Sequence, residues 1–301
     1  MTDEARERRL GAAFGAASFL WWGVAPLYFK AVGSVAPVEV LAHRITWSLA
    51  FVVAVLAGRG RLWATFRLYG DLRTLATMLV TTCLIAVNWL VFIWSIANDR
   101  LVEASLGYFI NPLVNVAFGA IFLRERLRRP QLAAVALATL GVAWLTARQG
   151  SVPWIALVLA VSFAIYGLLR KLARPTGLQG LALETGLLAP LALAWMLRRQ
   201  SQGELAFGHD GLLVTMLLCA AGPITALPLI WYAEGVRRLR LATMGFLQYL
   251  APSLQFLLAV LAFGEAFTQT QAVGFSMIWT ALVVYSWDTA RGMRRRQPAA
   301  R

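Results

Sequence analysis

Long apolar runs, separated by short charged connections, dominate the chain. Taking about twenty helical residues per crossing of a bilayer core, they predict ten spans, near 10–30, 36–57, 74–97, 101–122, 130–147, 152–170, 180–197, 211–233, 241–263 and 269–288. The connections are short, so each helix must pack against its sequence neighbours. Polar residues inside the spans recur at helical spacing. In the fourth span Ser105, Tyr108, Asn111 and Asn115 form one stripe, and in the ninth Gln248, Tyr249, Pro252 and Gln255 form another.

The two stripes belong to a repeat. The segment from Glu103 to Gln131 is apolar around Pro112 and closes on Glu125 among arginines. At an offset of 140 residues Tyr108 faces Gln248, Pro112 faces Pro252, Asn115 faces Gln255, Glu125 faces Glu265 and Gln131 faces Gln271. The chain therefore divides into residues 1–150 and residues 151–301, joined by a short connection near Gly150 to Pro153. Each half holds five spans, an odd number, so the second half enters the membrane upside down, as in transporters built from inverted repeats.

Lys and Arg fix the orientation. The N-terminal tail, the connections after spans two, four, six and eight, and the C-terminal tail hold 22 of them, against 5 in the other connections. This bias places both termini in the cytoplasm.

Composition agrees with a lipid solvent. Hydrophobic residues make up 59% of the chain and charged ones 14%, about half the usual globular share. A net charge of +14 would suit a nucleic-acid partner, but the arginines sit in short runs between spans, the pattern of inner-leaflet anchoring, so no nucleic-acid partner is expected. Cys83 and Cys219 both lie inside apolar spans and have neither metal nor disulfide spacing. The first apolar run is too long for a signal-peptide core and reads as an uncleaved helix. The sequence contains no GxxxxGK loop, which argues against ATP-driven pumping by this polypeptide alone. No cofactor or metal is expected.

Several residues stand out inside the spans. Glu39, His43 and Trp47 share one face of span two, with Glu39 near the outer end where water can solvate it. Arg44 points about 100° away from them, too deep to escape to water. A charge at such depth costs roughly 3 kcal/mol and turns to the bundle interior. For Arg44 a substrate or proton path and a structural pairing both stand open. His43 or Glu184 could relay protons, though a neutral, hydrogen-bonded histidine is the simpler reading of His43. Asn88 with Trp89 in span three, Tyr166 in span six and Thr225 in span eight add polar or aromatic groups at depth, with Trp22 nearby. Gly11 and Gly15 read as helix-packing positions, and Pro26 as a kink. Arg170 and Lys171 read as snorkelling anchors at the cytoplasmic interface, and Glu234, near Arg237 and Arg238, as interfacial. With His43 and His209 the only histidines, no catalytic constellation can be assembled.

The runs WGVAPLYFK, VEVLAHRITWS, NWLVFIW, EASLGYFINPL, GPITALPL and QYLAPSLQFLLAV resemble the RarD subgroup of the EamA-like drug/metabolite transporter superfamily. The resemblance runs from about Gly11 to Trp287. It implies an all-α integral membrane carrier of ten helices in two inverted five-helix repeats, in a bacterial inner membrane, mostly associated with efflux. A common family label, "chloramphenicol-sensitive protein", hints at drug handling without establishing a substrate.

The expectation is a secondary carrier, not an enzyme, that moves a small metabolite or drug by alternating access. Its substrate-binding residues would be Arg44, Asn88, Trp89, Tyr108, Asn111, Tyr166, Thr225, Gln248 and Tyr249. His43, Arg44 and Glu184 would relay protons or pair charges. Pro112 and Pro252 would be hinges, each freeing the carbonyl four residues upstream. A membrane enzyme, a lipid-handling protein and a non-transporting receptor are the rival classes.

Overall fold

The computed structural model describes residues 3–122, 128–239 and 247–295, and the description below is of those residues. They contain helices and no strand. The helices are α1 (Asp3–Ala31), α2 (Pro37–Gly58), α3 (Leu62–Phe66), α4 (Leu72–Ala97), α5 (Leu101–Phe122), α6 (Arg129–Gln149), α7 (Trp154–Leu172), α8 (Gly177–Ser201), α9 (Leu212–Arg238), α10 (Leu250–Leu257) and α11 (Gln269–Arg295). α3 is a surface turn of helix inside what the sequence pattern reads as a plain connection.

Six stretches are long and apolar enough to cross a bilayer: Arg9–Ala31, Pro37–Gly58, Leu72–Ala97, Arg129–Arg148, Gly177–Ser201 and Leu212–Tyr232. Leu101–Val114, Trp154–Arg170 and Leu250–Ala262 are apolar but shorter. The predicted tenth span lies within α11. The predicted ninth begins among residues outside the described ones, which also exclude Glu125 and the side chains of Asn115, Lys171 and Arg237.

The molecule is apolar outside and carries polar groups within. Leu72, Leu191, Leu197, Leu212, Leu213 and Leu261 are strongly exposed, whereas Asn88, Ser105, Asn111, Glu184 and Thr185 are buried. Water would reverse that arrangement, and lipid permits it. The chain is a multi-pass membrane protein.

α1 packs on α9 and α10, α2 on α8 and α9, α4 on α7 and α8, α5 on α7, and α6 on α11. At the α5–α7 contact Gly107 faces the backbone of Ala156: a Cβ there would stand 2.7 Å from the Ala156 carbonyl oxygen. Two residues of the repeat do the same local work. Gln131 accepts the backbone N–H of Arg128 at 3.0 Å and starts α6, and Gln271 accepts that of Thr268 at 2.8 Å and starts α11. Each satisfies a donor that its own helix leaves unpaired.

Candidate functional site

The interior polar groups form four neighbourhoods. The first surrounds Arg44, only 9% exposed. Its Nε donates to Thr225 Oγ1 at 2.9 Å, joining α2 to α9. The guanidinium carbon lies 4.1 Å from the centre of the Trp89 ring on α4 and 5.4 Å from that of Phe29 on α1. Cations favour such ring faces because the π cloud is negative there.

The second neighbourhood adjoins it through the aromatic rings of Phe29, Phe92, Tyr108 and Phe163, which meet edge to face in that order. Asn88 Nδ2 donates to the Leu159 carbonyl at 3.1 Å and to Ser162 Oγ at 2.9 Å, both on α7, while Tyr108 donates to Asn88 Oδ1 at 3.3 Å. Asn111 Nδ2 donates to the Ala160 carbonyl at 2.9 Å, and Gln248 Nε2 reaches Asn111 Oδ1 at 3.4 Å. The two polar stripes thus touch through Asn111 and Gln248. Farther along the second stripe, Gln255 donates to the Trp22 carbonyl at 3.1 Å.

The third neighbourhood holds Glu184, which accepts from Tyr166 Oη at 3.2 Å and stands 3.8 Å from Arg170 Nε. This corrects the reading of Arg170 as a snorkelling anchor. Its guanidinium turns inward over Gly180, where any side chain would collide with it, and also donates to the Thr176 carbonyl at 3.0 Å. Burial of the Glu184 carboxylate is matched by a cation close by.

The fourth is the Glu39 face of α2. Trp47 Nε1 donates to His43 Nδ1 at 3.3 Å, so that ring nitrogen is an acceptor, and His43 stacks on Phe207 at 4.6 Å between ring centres. Glu39 is buried rather than solvated, because the connection after α8 folds over it and donates the Phe207 backbone N–H at 3.0 Å.

Of the residues the sequence singles out, Arg44, Trp89 and Thr225 meet at one place, and Asn88, Tyr108, Asn111 and Gln248 meet beside it. Tyr166 and Glu184 form their own pair, His43 belongs to the Glu39 face, and Tyr249 reaches toward Ser286 on α11. Pro112 lies inside α5. Pro252 lies inside α10, and the Gln248 carbonyl expected to be free accepts the Ala251 N–H at 3.3 Å, a tighter turn. Sequence reasoning passed over Phe29, Ser162 and Phe207. Ser162 alone carried a signal, as a polar residue in mid-span.

Paired polar side chains inside a lipid-facing helical shell mark a polytopic membrane protein whose interior is built for polar contacts. The profile of the EamA-like transporter family matches residues 9–147. An uncharacterized transporter of Vibrio cholerae is 43% identical over 289 residues, covering 96% of this chain and 95% of that one. Protein RarD of Streptomyces exfoliatus is 44% identical over 290 residues, covering 96% of this chain and 92% of that one. A solved protein structure shares the fold with a TM-score of 0.60 at 23% identity, covering 93% of this chain and 98% of its own. The chain belongs to the RarD subgroup of the EamA-like, drug/metabolite transporter superfamily, and it is a transporter.

Proposed function

We propose that the protein is a secondary carrier of a bacterial inner membrane that exports a small metabolite or drug-like solute. The two halves, residues 1–150 and 151–301, would act as inverted repeats in alternating access, with both termini cytoplasmic. The observation that carries this reading is the contact of Asn111 with Gln248, one residue from each polar stripe, beside Asn88, Tyr108 and Ser162. Polar side chains at such depth need partners. Pairs made between helices can be exchanged for pairs with a solute when the helices part.

The matched capping by Gln131 and Gln271 supports the repeat reading. So do the matched helix pairs, α5 on α7 and α10 on α1, each tied by a side-chain amide to a backbone carbonyl. Arg44, Trp89, Thr225, Asn88, Tyr108, Asn111 and Gln248 are the residues we assign to the solute. Glu184 with Tyr166 and Arg170 forms the group we assign to proton coupling, and Pro112 and Pro252 are the proposed hinges.

The test is efflux from liposomes loaded with a small-molecule extract of bacterial cells, with and without an imposed proton gradient. Protein-containing liposomes should lose particular compounds that empty liposomes keep, and faster with the gradient. Identical retention in both preparations would refute the carrier reading.

A further inference from the structure

Arg44 is a buried cation without a counter-ion. A guanidinium keeps its charge under all ordinary conditions, and an ionised group taken out of water is costly unless a partner compensates it. Here Nε is bonded to Thr225, and Trp89 and Phe29 cover the group with ring faces, but Nη1 is buried and has no hydrogen-bond partner. The phenols of Tyr28 and Tyr108 stand near it, and a phenol is neutral at ordinary pH. Both are already donating, Tyr28 to the Leu217 carbonyl at 2.9 Å and Tyr108 to Asn88.

The carboxylates that could have paired with it are committed elsewhere. Glu39 holds the Phe207 N–H, Glu184 faces Tyr166 and Arg170, Glu103 holds Arg100, and Glu265 holds the first turn of α5. Among the described residues none reaches Arg44. Arg170, near the end of α7, is the contrast: that arginine has a carboxylate of its own, that of Glu184, at 3.8 Å.

We propose that the counter-ion of Arg44 is the solute itself: the site binds a small organic monocarboxylate, whose carboxylate lies against the free Nη edge of the guanidinium. The inference rests on the carrier reading above and names the class of substrate. An edge of two adjacent N–H donors matches a carboxylate. A dianion such as a phosphate ester would need a second cation, and the contacts of Arg44 among the described residues, Thr225, Trp89 and Phe29, supply none. The rings against it, Phe29 and Trp89, continue into Phe92 and Tyr108, so the solute body suited to this aromatic row is flat and apolar.

The test uses purified full-length protein in detergent and its thermal unfolding. The probes are benzoate and phenylacetate, each against its neutral amide, and sodium chloride at equal ionic strength. A ligand that binds only the folded state raises the apparent Tm. The carboxylates should raise the Tm of the wild type by several degrees, while the amides and chloride leave it unchanged. Without any probe, Arg44→Met should be at least as stable as the wild type, since an unpaired buried charge has been removed, and it should no longer respond to carboxylates. Arg44→Lys should retain a weakened response.

An Arg44→Met protein several degrees less stable than the wild type would show instead that Arg44 clamps the helices, and would overturn the proposal. Equal shifts with acids and amides, or no shift with either, would overturn it on the wild type alone. The efflux measurement keeps the two readings apart. A protein that moves solutes without preferring carboxylates remains a carrier and loses this assignment. One that binds carboxylates yet retains every solute keeps the assignment and loses the carrier reading.

Discussion

Glu265 closes the first turn of α5 by capping Leu101: its Oε1 accepts the Leu101 N–H at 2.7 Å, and its Oε2 accepts that of Val102 at 2.8 Å. These donors have no partner within their own helix, and a carboxylate placed there also meets the positive end of the helix dipole. A π turn over Leu258–Ala262 and Gly264 at φ 69° bring the side chain round to α5. Replacing Glu265 with alanine should cost about 1–2 kcal/mol, seen as a lower apparent Tm. Glutamine should cost less, because its amide oxygen still accepts one bond. An alanine variant as stable as the wild type would contradict the capping role.

The same residue gives a pH dependence. Burial holds the Glu265 carboxyl above its ordinary range, against the opposing pull of the Val102 and Leu101 N–H donors. The folded state therefore binds this proton more tightly than the unfolded chain does. That contribution is complete below the unfolded value of about 4.3 and is lost as pH rises through the higher folded value. The stability of the wild type relative to Glu265→Gln should fall with rising pH across that window. Comparing the two Tm profiles from pH 4 upward checks the sign; a relative stability that climbs would contradict it.

Orientation is tested by labelling. Under the proposed topology, cysteines placed at Gln202 and Thr268 react with an impermeant reagent in intact cells, and cysteines at Gly60 and Arg128 react only after the cells are opened. All four positions lie in connections or at helix ends. Reaction of Gly60 or Arg128 in intact cells would reverse the orientation.

Much of this was legible in the residue pattern, for a physical reason. Helices in lipid must satisfy their own backbone, so apolar runs locate them, and the buried Asn88 and Asn111 and the half-buried Gln248 could be anticipated because polar side chains at depth must face protein. What the pattern could not supply was the identity of partners. Asn88 and Asn111 bond to backbone carbonyls of Leu159 and Ala160, which carry no side-chain signal. Arg170 turns inward because Gly180 leaves room for it, and Glu39 is buried because a connection far along the chain folds over it. Glu265 was visible as a repeated glutamate, but its capping of α5 was not, since the contact joins positions 164 residues apart.

The central prolines test the symmetry of the motion. Pro112 and Pro252 occupy matched positions at the offset of 140 residues. Each removes a helical hydrogen bond, and in α10 the Gln248 carbonyl compensates by accepting from Ala251. Restoring the bond with Pro112→Ala or Pro252→Ala should bias the carrier toward one facing state. If the halves are inverted repeats, the two variants bias it in opposite directions, measured by the reactivity of cysteines on the two sides. Shifts in the same direction would refute a symmetric hinge.

The central claim, that an interior site opens to each side of the membrane in turn, is tested most directly at Ser162. Its hydroxyl accepts from Asn88 in the buried polar neighbourhood, and cysteine is nearly isosteric there. With Cys83 and Cys219 replaced by serine, the Ser162→Cys protein would be treated with an impermeant maleimide in right-side-out and in inside-out vesicles. The account predicts modification in both preparations, slowed in each by a bound solute. Modification from one side only, or from neither, would contradict it.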